Sequence, residues 1–217
     1  MKRLVGIFAH PDDEAFGPGG TLALSSQEAE VFLICITDGD ALCEDHAKEK
    51  ELGKIRREEL QKSSEILGIK KVFFLGYHDG SLSHNLYHEI ADKIQQLLEE
   101  LQPDTVMTFE PRGVSGHIDH IVASMVTSFV FHKLSFIHTL MYYCNRDSMR
   151  KLSKDYFIYM PQGYKEHEVQ RIVDTSLVWD TKVEAMNMHK SQQHDIDRIL
   201  SMSQQLPKEE YFLIVEK

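Results

Sequence analysis

The 217-residue sequence predicts an α/β fold, a Rossmann-like three-layer sandwich on a mostly parallel sheet, with extra irregular elements at its carboxyl end. Three observations predict it. Short apolar runs alternate with longer helical patterns between residues 4 and 144, as β-α units do. The runs are continuously apolar, as strands buried on both faces of a parallel sheet require. Polar clusters follow the first and fourth runs, where a sheet of order 3-2-1-4-5 gathers ligands in the crevice at its topological switch point.

The first strand is Leu4-Val5-Gly6-Ile7-Phe8. Gly17-Pro18-Gly19-Gly20 punctuates the chain after it, Thr21 to Gln27 reads as a helix, and Val31 to Ile36 as the second strand. A charged helix runs from about Lys48 to Leu67 and stops at Gly68, before the third strand Val72-Phe73-Phe74-Leu75. Leu86, Ile90, Ile94, Leu97, Leu98 and Leu101 lie at helical spacing, Pro103 ends that helix, and Thr105 to Phe109 is the fourth strand. A helix from about His120 to His132 and a strand from Thr139 to Cys144 complete five units. Beyond them Lys151 to Lys165 reads as loop or edge structure, Ile172 to Val178 as a strand, Thr181 to Leu200 as one or two helices and Phe212 to Val215 as a last strand. No repeat, low-complexity segment or linker divides the chain, so residues 1–217 are expected to form one domain.

Composition narrows the function. A hydrophobic content of 42% and a charged content of 27% are those of an ordinary globular protein. The net charge of -10 disfavours nucleic acid as a partner, because backbone recognition needs Lys and Arg against phosphates. The basic stretch Lys48 to Arg57 is interleaved with Glu49 and Glu51 and followed by Glu58 and Glu59, which reads as a solvated helix face. No membrane span is expected, and Met1-Lys2-Arg3 leads into too short an apolar run for a signal peptide. Cys35, Cys43 and Cys144 have neither even count nor finger spacing, so reduced thiols and a cytoplasmic location are expected. The oligomeric state is left open, a homo-oligomer included.

Chemistry is concentrated in Ala9-His10-Pro11-Asp12-Asp13-Glu14, which places an imidazole and three carboxylates in one turn after the first strand. His10 and Asp13 offer nitrogen and oxygen ligands of the kind zinc accepts, and Asp12 is a carboxylate beside them that need not bind the metal. Gly116-His117-Ile118-Asp119-His120 follows the fourth strand, so the two loops converge and can complete a three-ligand site. Such ligands also admit iron, cobalt or nickel. Asp79, after the third strand, is a candidate substrate contact. Arg56 reads as a helix-face ion pair or, more boldly, as a substrate contact. The remaining histidines, His189 among them, read as partly exposed surface groups. Gly17-Pro18-Gly19-Gly20 lacks the spacing of a dinucleotide loop, and no Walker loop or nucleophile elbow occurs, so no nucleotide cofactor is expected.

These residues resemble the LmbE-like or PIG-L-like zinc-dependent N-deacetylases, whose mark is an Ala-His-Pro-Asp-Asp-Glu turn. Further similarities are Thr37-Asp38-Gly39, Arg56 with Glu59, Leu67-Gly68, Asp79-Gly80, the second histidine cluster and His189-Lys190-Ser191-Gln192. The resemblance implies zinc held by His10, Asp13 and His120, Asp12 as general base, and His117, protonated and oriented by Asp119, as stabiliser of the intermediate. It implies removal of the N-acetyl group from an N-acetylglucosamine-type sugar or conjugate, an N-acylated small molecule. Ile118 stands where the family usually has proline, and Ser115 where some members carry a tyrosine near the substrate acyl group. A zinc amidase acting on thiol conjugates or modified antibiotics, and a non-catalytic metal- or carbohydrate-binding protein, are the alternatives.

Overall fold

The computed structural model describes residues 2–41, 46–152 and 159–217. Among them, seven strands form one sheet: β1 (Arg3–Phe8), β2 (Glu30–Thr37), β3 (Lys71–Tyr77), β4 (Thr105–Phe109), β5 (Thr139–Cys144), β6 (Arg171–Asp174) and β7 (Glu209–Glu216). Their order is β3-β2-β1-β4-β5-β7-β6. The first five are parallel, as their apolar runs predict, and β7 pairs antiparallel with both β5 and β6. β1 is flanked by β2 and β4, with Leu4 opposite both Val31 and Thr105. The chain winds outward to β3 and returns to β4 on the other side of β1, which opens a crevice beyond the carboxyl ends of those two strands.

Helices cover both faces. On one, α4 (Tyr87–Leu101) packs against α6 (Ile118–Lys133), which lies over β1, β4 and β5. On the other, α2 (Gly19–Ser26) and α3 (His46–Ile66) pack against α8 (Trp179–Met186). Ile7, Ile34, Val106 and Leu140 from the four central strands are fully buried, each contributing about 1.5–3 kcal/mol. The short turns α1 (Asp13–Phe16) and α5 (Gly113–Gly116) stand at the carboxyl ends of β1 and β4 and carry the polar clusters.

The last third differs in detail from the sequence reading. The strand expected to reach Val178 stops at Asp174, whose Oδ1 accepts the Ser176 N–H at 2.9 Å and turns the chain into a 3-10 segment. Thr181 to Leu200 is two helices, α8 and α9 (Gln193–Ser203). Within the expected loop Lys151 to Lys165, the first two residues end α7 (Asp147–Leu152), and 153–158 lie outside the described residues, as does Cys43. Cys35 and Cys144 are buried free thiols. The amides of Gly20 and Thr21 at the start of α2 donate to the buried Glu210 carboxylate at 2.8 and 2.7 Å, and Lys182 Nζ meets it at 2.6 Å. No described helix is long and apolar enough to cross a membrane.

Candidate metal centre and active site

The turn after β1 buries all four of its ionisable residues: His10, Asp12 and Asp13 are at most 9% exposed and Glu14 1%. Asp13 folds back so that its Oδ2 accepts the His10 amide at 2.7 Å. Asp12 is held at φ 132°, a backbone conformation that costs a non-glycine residue about 1–3 kcal/mol and persists only where its surroundings fix it. Those surroundings are Glu14, whose Oε2 accepts the Asp12 N–H at 3.1 Å, and Arg56, whose Nη2 donates at 2.7 Å to both Pro11 O and Asp12 Oδ2.

Arg56 is 4% exposed, and its Nη1 donates to Gly39 O at 2.8 Å. The ion pair expected of Arg56 is present, but it is buried beneath the turn with Asp12 and does not lie on the outer face of the helix. A Cβ on Gly39, at φ 66°, would lie 2.6 Å from Arg56 Cζ, so glycine at the end of Thr37-Asp38-Gly39 is what admits the guanidinium. Burial drives the Asp12 carboxyl up to about 6, with Arg56 pulling the other way.

The second cluster meets the first across the switch point. His120, in the first turn of α6, stacks on Phe109 with ring centroids 4.1 Å apart, and its Nδ1 lies 3.1 Å from Gly113 O. His10 Nε2 lies 2.9 Å from Asp79 Oδ1 and 3.4 Å from Asp119 Oδ2. Each ring can thus donate from its outer nitrogen to a fixed acceptor, leaving lone pairs on His10 Nδ1 and His120 Nε2. These two atoms are 3.1 Å apart, His120 Nε2 is 3.3 Å from Asp13 Oδ1, and His10 Nδ1 is 3.6 Å from Asp13 Oδ2.

Three acceptors facing one another at such separations repel unless a proton or a metal cation lies among them. The separations suit a metal: the edge of a tetrahedron with metal bonds of about 2.0–2.1 Å is about 3.3 Å. The electrostatics agree. Burial works against a charged His10, yet hydrogen bonds to Asp119, Asp13 and Asp79 outweigh it and hold the ring well above the ordinary imidazole range. Burial likewise works to raise Asp13, but the charge of His120 and hydrogen bonds from both rings hold it well below the usual carboxylate range. This pocket favours positive charge.

His10, His117 and His120 also offer ring nitrogens all within 4.8 Å of one another. His117 Nδ1, however, accepts the Asp119 N–H at 3.1 Å, which places the ring proton of the neutral form on Nε2. Burial first, then the charges of His10 and His120, bring His117 down to about 4. That direction favours the neutral ring over the expected imidazolium. Asp119 meets His117 through its amide, while its carboxylate accepts from the amides of Gly80 and Leu82 at 2.8 and 3.2 Å.

Asp79 and Ser115, expected at the substrate, are at the centre in other company. Asp79 faces His10, and Ser115 Oγ lies 3.3 Å from His120 Nδ1 and accepts the His117 N–H at 3.3 Å. Residues to which the sequence assigns no role in the site complete the surroundings. His189 is fully buried rather than at the surface, with Nε2 2.8 Å from Glu14 Oε1, and Ser63 Oγ donates to the same oxygen at 2.5 Å. Ser191 donates from both its amide and its hydroxyl to Glu59. The signal for this buried polar face was present: Arg56, Glu59, Leu60, Ser63, Ser64 and Leu67 recur every three or four residues, and all are buried.

Known proteins place this arrangement. The PIG-L family, described as GlcNAc-PI de-N-acetylase, matches residues 5–130, more than half of the chain. A 1D-myo-inositol 2-acetamido-2-deoxy-alpha-D-glucopyranoside deacetylase from Corynebacterium glutamicum is 29% identical, with 88% of this chain and 74% of that protein covered. The diacetylchitobiose deacetylase of Thermococcus kodakarensis is 30% identical, with 88% and 70% covered. The solved structure of N,N'-diacetylchitobiose deacetylase from Pyrococcus horikoshii matches with a TM-score of 0.72 and 26% identity, over 99% of this chain and 84% of that one. With the first-strand turn, the second histidine cluster and the sheet order all in place, the chain belongs to the PIG-L family of de-N-acetylases.

Proposed function

We propose that this protein hydrolyses the N-acetyl group of an N-acetylglucosamine-type sugar or conjugate, giving acetate and the free amine, with zinc held by His10, Asp13 and His120. The observation that carries the reading is the facing set of His10 Nδ1, His120 Nε2 and the Asp13 carboxylate beside an Asp12 that binds neither ring. The named activities of the Corynebacterium glutamicum and Thermococcus kodakarensis relatives, both deacetylases of N-acetylated glucosamine compounds, support the choice of sugar. When bound by three protein ligands, zinc supplies Lewis acidity, lowering the pKa of water from 15.7 toward about 7 and polarising an acyl oxygen.

The chain's own residues do the rest. Arg56 engages Asp12 through Oδ2, and Oδ1 has no hydrogen bond among the described residues, so the carboxylate has one oxygen with which to take a proton from the attacking water. His117 donates from Nε2 to the oxygen that gains negative charge. The proton taken by Asp12 is then at hand for the departing nitrogen, which is a poor leaving group until protonated. Asp79 and Gly113 O fix the two ligating rings by accepting their outer N–H groups.

The test measures acetate and amine release from a panel of N-acetylglucosamine conjugates, using metal-stripped protein, zinc-restored protein and Asp12→Asn. Release restored by zinc and reduced about 10²–10⁴-fold in a zinc-loaded Asp12→Asn is the expected result. No zinc-dependent release, or an Asp12→Asn variant as fast as the parent, overturns the reading.

A further inference from the structure

We propose that Glu110 is a positioning residue for the metal centre, acting on His120 through a strained turn at Val114, and that it couples the segment bearing Tyr164 to that centre. The inference rests on the reading of His120 as a ligand. Glu110 follows β4 directly and is 1% exposed. Its carboxylate accepts four hydrogen bonds: the Arg112 amide at 3.0 Å, Arg112 Nε at 3.1 Å, the Val114 amide at 3.1 Å and the Tyr164 hydroxyl at 2.8 Å. The Arg112 guanidinium also lies over the Tyr164 ring, 4.2 Å from its centroid.

Val114 sits at φ 62°, ψ -54°, a region that a β-branched residue enters only when held there. The bond from its amide to Glu110 Oε1 holds it. The reward is the position of the preceding carbonyl: Gly113 O is the acceptor for His120 Nδ1, which leaves Nε2 facing Asp13 and His10. Without the Glu110 anchor the turn can relax toward an ordinary backbone conformation, and Gly113 O moves off the ring. Metal-ligating histidines depend on such acceptors for their tautomer and orientation.

The same carboxylate draws in a distant piece of chain. Tyr164 closes over Glu110, and a Cβ on Gly116 would collide with Tyr159 O, so residues 159–164 bear directly on the loop that leads into His117. Nothing in the reaction needs Glu110 to be a base. What its place needs is an acceptor-only group, because four donors converge on it.

Glu110→Gln keeps the shape and breaks that polarity, since an amide nitrogen then faces donors. The experiment measures zinc affinity by chelator competition, with circular dichroism confirming the fold. Parent protein, Glu110→Gln, Tyr164→Phe, Val114→Gly and the double variant Glu110→Gln/Val114→Gly are compared. Glu110→Gln is expected to bind zinc about 10–100-fold more weakly, and Tyr164→Phe to fall between it and the parent. Glycine takes φ 62° without strain, so Val114→Gly in the Glu110→Gln background is expected to recover most of the lost affinity. A general loss of stability would not be repaired by that change. A folded Glu110→Gln with parental zinc affinity overturns the inference, as does a double variant no better than the single one. If Glu110→Gln does not fold, parental affinity in Tyr164→Phe overturns it. A parent that binds no zinc overturns the metal reading instead.

Discussion

The two loops that face each other across the switch point are held by different means. The turn after β1 compresses His10, Asp12, Asp13 and Glu14 into five residues and draws its holders from far along the chain, Arg56 on α3 and His189 beyond α8. The loop after β4 is longer and more open, and among the described residues the bonds that hold its Glu110 are mostly local, from Arg112 and Val114, with Tyr164 arriving from farther along the chain. Each loop has one strained non-glycine residue, Asp12 at φ 132° and Val114 at φ 62°, and each is met by a charged side chain. The difference teaches where damage should appear. A holder of the first turn is part of the tertiary core, whereas a holder of the second acts mainly on metal geometry.

The comparison is tested most severely at Arg56. Arg56→Met would leave Asp12 buried without its partner and the carbonyls of Pro11 and Gly39 without a donor. Breaking a buried pair from one side costs about 3–5 kcal/mol, and urea unfolding of the metal-free protein should show a loss of that size. A loss below about 1 kcal/mol, the range of exposed pairs, would mean that the first turn is as self-supporting as the second.

His189 sharpens the same contrast through pH. Burial works against its charge, but the Glu14 carboxylate at 2.8 Å, with Asp12 and Glu59 behind it, raises its pKa above the ordinary imidazole value; the Phe16 ring packs on its other side. A histidine raised in the folded state adds stability that is fully present below the unfolded value, about 6.5, and is lost as pH rises through the folded value. His189→Gln should therefore be less stable than the parent by about 1.5–3 kcal/mol near pH 5.5, the worth of a hydrogen bond to a charged group. The gap should narrow toward pH 9. A gap that is constant or widens with pH would remove the charged pair from the turn's supports.

How much of this was legible follows from the same division. The strands β1 to β5 and their order follow from apolar runs and connection rules, because a parallel sheet buried on both faces writes itself locally. The ionisable turn after β1 and His117 to His120 were equally plain, since each cluster is contiguous. Their supports show no contiguous pattern, and Arg56, Glu59 and His189 stand out only through the family resemblance. Arg56 looked like one charge in a solvated helix because its partner lies 44 positions away. His189 looked exposed, being 175 positions from Glu14. Glu110 carried no pattern at all, since its four donors become neighbours only when the loop closes. The antiparallel insertion of β7 between β5 and β6 was hidden for a related reason: a last strand can join either edge, and which one it joins here is tied to the Glu210 contacts with α2 and Lys182.

Ser115 gives the smallest effect and the finest distinction. Its Oγ lies 3.3 Å from His120 Nδ1 and 3.4 Å from Gly113 O, both longer than the 3.1 Å between His120 Nδ1 and that carbonyl. Geometry therefore assigns the ring proton to Gly113 O, with the hydroxyl a weaker neighbour that chiefly accepts the His117 N–H. Ser115→Ala should leave stability nearly unchanged and weaken zinc binding by less than about tenfold, the lower bound for loss of a ligand's own partner. Chelator competition reads the difference. A larger loss would make Ser115, and not the carbonyl fixed by Glu110, the true partner of His120, and the second loop would then owe its geometry to a side chain within the histidine cluster itself.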